Sequence, residues 1–199
     1  MSVGRPRTFS ESDAVTAAME LFWAQGYEPT GMTQLLDHLG MARQSVYNTF
    51  GDKRSLYLRA LNLYTTRALE EFERRLTSGP TAYDGLCEAV LSQAEIRDPL
   101  EKHGCMAVNA AAEFGVSDED VKEAVSVFWT SGDSAIQKAV HKCIAEGDLP
   151  PGLDDKVAAA SIHAMLTGMA VMKRAGRPEH QLRALATAAL EALPANASF

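Results

Sequence analysis

Between Thr30 and Tyr57 the sequence holds two helices that are each too short to stand alone, split by a glycine. Thr30 and Gly31 open the first, which runs from Met32 to about Leu39 and stops at Gly40. The second starts near Ala42 or Arg43 and ends near Phe50, before Gly51 and Asp52. Helices below roughly 12–15 residues are marginal in water, so these two persist only when packed against longer ones. Leu35, Leu36, Leu39, Met41, Val46 and Phe50 are therefore expected to face neighbours on either side. Both neighbours are legible. Before the pair, Ser10 caps a helix with Asp13 at the capping-box position. Ala14, Val15, Ala18, Leu21 and Phe22 then recur at helical spacing up to Gly26. After the pair, a long helix is expected from about Lys53 to Leu76.

Everything beyond the break at Ser78-Gly79-Pro80 also reads helical. Segments fall near 81–97, 104–114, 118–146, 153–175 and 178–192. Asp98-Pro99, Gly115 with Ser117, Gly147 through Gly152, and Gly176 with Pro178 punctuate them. Alternating strand patterns and fixed-period repeats are absent, so the chain is expected to be all-α with about nine helices. Hydrophobic residues make up 46% of the chain, enough for a core of useful size. No apolar run approaches the ~20 residues of a membrane span, and no charged-then-apolar leader opens the chain. A cytoplasmic protein with no membrane partner is expected. Cys87, Cys105 and Cys143 are odd in number and form no CxxC pair, which argues against a disulfide framework or zinc knuckle.

The second short helix turns a particular chemistry outward. With Val46 and Phe50 inside, Arg43, Gln44, Ser45, Tyr47, Asn48 and Thr49 face away from the core. These side chains supply both donors and acceptors, which suits base edges and phosphate oxygens in a major groove that admits one helix. Lys53 and Arg54 open the next helix, where backbone amides also favour phosphate. The plainer reading is a helical corner with a solvated face. Charge does not decide between them. The net charge is −7, but residues 1–60 hold six basic and six acidic residues, so the acidity lies in the body. Arg5 and Arg7 form a basic arm ahead of the first helix.

Residues 8–58 resemble the N-terminal domain of the TetR family of bacterial regulators. The resemblance is carried by Ala17-Ala18-x-x-Leu21-Phe22, Gly26-Tyr27, Thr30, Gly40-Met41, Val46-Tyr47-x-x-Phe50 and Lys53-x-x-Leu56. It implies an N-terminal three-helix, helix-turn-helix DNA-binding domain over residues 1–52. A long fourth helix would join it to a helical ligand-binding and dimerisation domain over 53–199. It implies phosphate contacts for Thr30, Tyr47 and Lys53, and places Gln44, Ser45 and Asn48 on the recognition helix. Leu35-Leu36 stands where the family often has Ile-Ala, and Leu39 where it often has Ala, which bears on the angle between the helices. His103 to Glu113, with its Gly104-Cys105-x-x-Val108-Asn109 core, resembles a stretch of one TetR subgroup.

In the body, Cys105 follows a glycine at a helix start with His103 nearby, a setting that favours thiolate. By resemblance, a thiol- or electrophile-sensing role is one reading; a small buried residue is the other. His38, His103, His141, His163 and His180 show no i,i+4 pairing, so no metal and no cofactor are expected. Helical bundles commonly leave an apolar pocket between helices. Cys105, Met106, Asn109, Glu113, Trp129, His163 and Thr167 are the candidate lining for an unknown small-molecule effector. The last two helices are rich in small residues. Val157, Ser161, Ala164, Met165, Gly168 and Met172 form one stripe, and Leu182, Leu185 and Ala189 belong to another. Such stripes serve as core or as a partner face, and the resemblance implies that they pair two copies as a homodimer.

The expected function is a ligand-responsive repressor of a palindromic double-stranded DNA operator. A repressor sensing electrophiles through Cys105 is the second reading, and a helical adaptor without DNA binding the third. The sequence holds no nucleophile elbow, phosphate loop or HExxH motif, so an enzyme is not expected.

Overall fold

The computed structural model describes residues 10–193; the basic arm at Arg5 and Arg7 lies outside them. Among the described residues there are nine α-helices, one 3-10 turn and no strand. Ser10 opens α1 (Glu11–Gln25) with a reciprocal capping box to Asp13. Gly26, at φ +96°, stops it in a conformation that suits glycine. α2 spans Met32–Leu39 and α3 Arg43–Phe50, with the left-handed Gly40 in the turn between them. Asp52 caps α4 (Lys53–Leu76) by accepting from the Ser55 amide at 2.7 Å.

The body begins with α5 (Ala82–Ser92), opened by a Thr81/Asp84 capping box. A 3-10 turn at Glu101–His103 leads to α6 (Met106–Phe114). The long α7 (Glu119–Glu146) and α8 (Asp155–Arg174) follow, capped by Asp118 and Asp154, and α9 (Glu179–Glu191) closes the described fold. The expected helix over 81–97 is shorter, because other groups take the backbone carbonyls past Ser92. Arg97 Nη2 donates to the Ser92 carbonyl at 2.9 Å, and Lys173 Nζ to the Glu95 carbonyl at 2.9 Å.

Two apolar clusters organise the molecule. The first gathers Ala14, Ala18 and Phe22 of α1, Leu35 and Leu39 of α2, Val46 and Phe50 of α3, and Leu56 and Leu61 of α4. It continues without a break into Met106, Ala107 and Ala110 of α6 and Val121 and Val125 of α7. The second joins Leu76, α5, the later part of α7, α8 and α9. α4 contributes its front to one and its end to the other. Each buried aliphatic or aromatic side chain contributes about 1.5–3 kcal/mol, so α3 depends on Val46 and Phe50 as its two anchors.

Candidate nucleic-acid interface and effector cavity

Val46 and Phe50 pin one face of α3 inward, and Arg43, Gln44, Ser45, Tyr47, Asn48 and Thr49 are all exposed on the other. Gln44 Nε2 donates to Asn48 Oδ1 at 2.8 Å, one helical turn apart, which steadies both side chains. Tyr47, 42% exposed, stands out of the helix as a large amphipathic group. α2 and α3 open with Gly31 and Ala42 and have no side-chain cap, unlike α1, α4, α5, α7 and α8. α6 and α9 share this lack of a side-chain cap, and in α3 the Ser45 amide donates to the Ala42 carbonyl at 2.9 Å.

Two expectations about the phosphate-facing groups need correction. Thr30 is completely buried, and its hydroxyl donates to the Gly26 carbonyl at 2.6 Å. It braces the α1–α2 turn and does not face outward, because this hydroxyl replaces a bond the terminating α1 carbonyl would otherwise lack. Arg54 is turned from the surface of α3 toward α7. It donates to both oxygens of Asp118 at 2.8 and 2.7 Å and to Asp120 at 2.6 Å. That bidentate pair holds the Asp118 carboxyl below its ordinary pKa. Lys53 is only partly exposed, its ammonium resting 4.0 Å from the Tyr27 ring centroid as a cation–π pair.

The same seam carries further links between the first cluster and the body. Glu113, at the end of α6, accepts from the amides of Tyr27 and Glu28 at 2.9 and 2.7 Å. Trp23 Nε1 donates to the Gly104 carbonyl at 2.8 Å. The rings of Phe22, Tyr27, Tyr57 and Phe114 stack within 5.1–6.3 Å of one another. Glu113 is thus committed to this seam and does not line a pocket, contrary to expectation. Its carboxylate matches two turn amides that have no helical acceptor.

A cavity of about 340 Å³ lies between α4, α5, the 3-10 turn, α7 and α8, within the range of small-molecule sites. Of the expected lining residues, Cys105, Trp129, His163 and Thr167 reach it. Met106 points into the first cluster, and Asn109 donates from Nδ2 to the His103 carbonyl at 3.0 Å, so neither does. His163 is held by Asp133 through Nδ1 at 2.6 Å and lies beside Gly132. Gly104, at φ +74°, lets its turn press on the Ala170 carbonyl, where a Cβ would collide. Cys105 is partly buried, and burial raises its thiol pKa above the ordinary value, outweighing the Val108 and Ala107 amides and the Tyr64 hydroxyl. The expected thiolate is therefore disfavoured. Desolvation exceeds what a few helix amides return.

Sequence reasoning missed the cavity residues Trp23, Tyr64, Arg67, Phe72 and Lys173. The signal for Lys173 was present. Ala159, Ile162, Leu166, Met169 and Lys173 recur at three- and four-residue steps, so a charge stands in a buried stripe. Among the described residues no group of three His, Cys, Asp or Glu is placed to hold a metal ion.

On the far side of the body, Val157, Ser161, Ala164, Met172 and Leu185 are exposed, and Gly168 is partly so. Val171, which the stripe argument left out, is exposed beside them. Leu182 is fully buried and belongs to the chain's own core, as Met165 does in part, because α9 turns that face toward α5 and α8. Ala189 is of intermediate exposure. No helix among the described residues is long and apolar enough to cross a membrane.

This architecture is shared with known proteins. Residues 14–60 match the family described as bacterial regulatory proteins, tetR family, and residues 83–189 match the tetracyclin repressor-like C-terminal domain. The chain is 25% identical over 197 residues to the HTH-type transcriptional repressor ComR of Escherichia coli K12, covering 97% of this chain and 93% of that one. It is 33% identical over 112 residues to the uncharacterized HTH-type transcriptional regulator YezE of Bacillus subtilis 168, covering 56% and 58% of the two chains. The solved structure of a cysteine mutant of the TetR family regulator CifR, complexed with 26-bp double-strand operator DNA, is similar at a TM-score of 0.82 and 28% identity. That match covers 96% of this chain and 100% of the other. On these matches, which span both the short-helix pair and the helical body, the chain belongs to the TetR family of bacterial regulatory proteins.

Proposed function

We propose that the chain is a homodimeric transcriptional repressor that holds a palindromic operator with α3 and releases it when a small molecule fills the cavity. The observation that carries this reading is the α3 face: six hydrogen-bonding side chains exposed on a helix anchored from behind by Val46 and Phe50. Arg43, Gln44, Ser45, Asn48 and Thr49 reach bases or phosphates, and Tyr47 and Lys53 bind the backbone. The operator complex of the CifR mutant supports duplex DNA as the partner. An adaptor without DNA binding leaves that face without a use.

The DNA-binding part is assigned to residues 1–52 and the ligand-binding and dimerisation part to 53–199, with α4 serving both. The cavity wall includes Tyr64, Ala68 and Phe72 of α4 and Cys105 and Val108 around the start of α6. Both helices also touch the DNA-binding part. A ligand that fits the cavity better in one arrangement of α4 and α6 shifts the spacing of the two α3 helices by its differential affinity. The exposed stripe of α8 and α9 supports a two-fold partner face. The Gly104 to Asn109 stretch supports membership of the subgroup that shares it, while burial of Cys105 disfavours sensing through its thiolate. The molecule acts in the cytoplasm and is not an enzyme, in keeping with relatives that are transcriptional regulators.

Selection of bound fragments from random duplex DNA tests the reading. A palindromic consensus with half-sites one or more groove turns apart is the expected outcome. Recovery of unenriched sequence, with binding unaffected by Tyr47→Ala, would overturn it.

A further inference from the structure

The cavity wall contrasts with the acidity of the chain. Its charged lining is Arg67, Arg75, Arg97 and Lys173 against only Glu71 and Glu101, in a protein of net charge −7. Most of these charges are already matched. Arg75 pairs with Glu71 at 2.5 Å and Glu88 at 2.8 Å, and Arg97 with Glu95 at 2.8 Å. Lys173 is different. It is 9% exposed, and its ammonium has the Glu95 carbonyl as hydrogen-bond acceptor but no carboxylate within 4.0 Å among the described residues. Glu95 is paired with Arg97 and Arg183, while Glu101 and Glu179 accept from the Arg97 and Ile96 amides and act on Lys173 only from beyond 4.0 Å. Arg67, at the exposed side of the same wall, donates to the Thr16 hydroxyl at 3.4 Å and forms no ion pair among the described residues.

A buried cation with no carboxylate in contact is costly, and an anion that arrives with its own apolar body offsets the cost. Burial lowers the Lys173 pKa and outweighs the opposing pull of Glu101, Glu179 and Glu95, none of which comes within 4.0 Å of the ammonium. Around it the wall is aromatic, with Trp23, Tyr64, Phe72, Phe128 and Trp129. The volume sits at the small end of ligand cavities.

We propose that the effector is a small aromatic carboxylate whose anionic head pairs with Lys173 while its ring lies among Trp23, Tyr64, Phe72, Phe128 and Trp129. This rests on the reading of the cavity as the effector site. Thr167 and Nε2 of His163, whose Nδ1 is taken by Asp133, are further polar groups for substituents on the ring.

The experiment compares acids with their uncharged counterparts. Benzoate, phenylacetate, salicylate and cinnamate are each set against the matching carboxamide, using the full chain. Binding is read from thermal midpoints, and operator release from fluorescence anisotropy on a selected DNA fragment. At least one acid is expected to bind at least tenfold tighter than its amide and to release the DNA. Lys173→Gln should weaken that acid at least tenfold and leave the amide unchanged, whereas Lys173→Arg should retain the preference. Equal binding of acid and amide, an unchanged acid affinity in Lys173→Gln, or no binding by any acid overturns the proposal. If Lys173→Gln fails to fold, the wild-type acid-to-amide ratio decides; a ratio near one overturns it. The two readings separate cleanly. Operator DNA that is bound while no acid binds the protein refutes the ligand class alone. Absence of any DNA binding refutes the repressor reading, and an acid that binds without releasing DNA refutes its regulatory part.

Discussion

Individual side chains carry commitments that neighbouring residues do not advertise. Thr30 has its hydroxyl on the Gly26 carbonyl inside the α1–α2 turn. Thr30→Val keeps the shape but leaves that acceptor unmatched, so it is expected to cost about 1–3 kcal/mol in urea denaturation. The salt slope of DNA binding should stay as it was, since no phosphate contact is removed. Asp118 is the second case. Its folded pKa is depressed by Arg54, so its contribution is full above the ordinary carboxylate range and is lost as pH falls through the folded value. Thermal midpoints of wild type and Asp118→Asn should differ at pH 7, begin to approach one another only below about pH 4, where free carboxylates protonate, and converge once pH has passed the depressed folded value. The outward face of α3 was readable from Val46 and Phe50, because four-residue spacing fixes a helix face. The fates of Thr30 and Arg54 were not. Arg54 meets an acid 64 positions away, and local periodicity holds no information about such a meeting.

At the level of elements, glycines and caps marked most boundaries, and the helices fall close to where they were expected. α5 is the exception. No breaker follows Ser92; the helix ends because Arg97 reaches back to its carbonyl from a loop that Lys173 also grips. The cavity was legible in part, through Cys105, Trp129, His163 and Thr167. Its cationic side went unread because Lys173 sits near the end of α8, where a lysine is unremarkable for the helix dipole. The α3 element makes its own prediction. Tyr47→Ala removes a side chain that packs on nothing within the fold's core, so stability should change by less than about 0.5 kcal/mol. Affinity for DNA should fall across all sequences, and wild-type affinity should drop steeply with salt in anisotropy titrations.

For the whole molecule, the face proposed for assembly and the seam between the two clusters are different surfaces. The stripe of Val157, Ala164, Val171, Met172 and Leu185 is apolar and outward, and Leu185→Glu places a charge on it without touching the core. Light scattering of the wild type is expected to give twice the 21.5 kDa chain mass, while Leu185→Glu gives a single chain with far weaker operator affinity. The seam between the two clusters behaves otherwise. The rings of Tyr27 and Tyr57 pack on Phe114, and the turn amides of Tyr27 and Glu28 donate to Glu113. The reader of DNA is consequently not a detachable cartridge. Expressed alone to residue 60, it would emerge with a raw greasy flank and clump. A hybrid that borrows another regulator's first four helices would stay well folded only if the stretch from Met106 to Asp120 travelled with them.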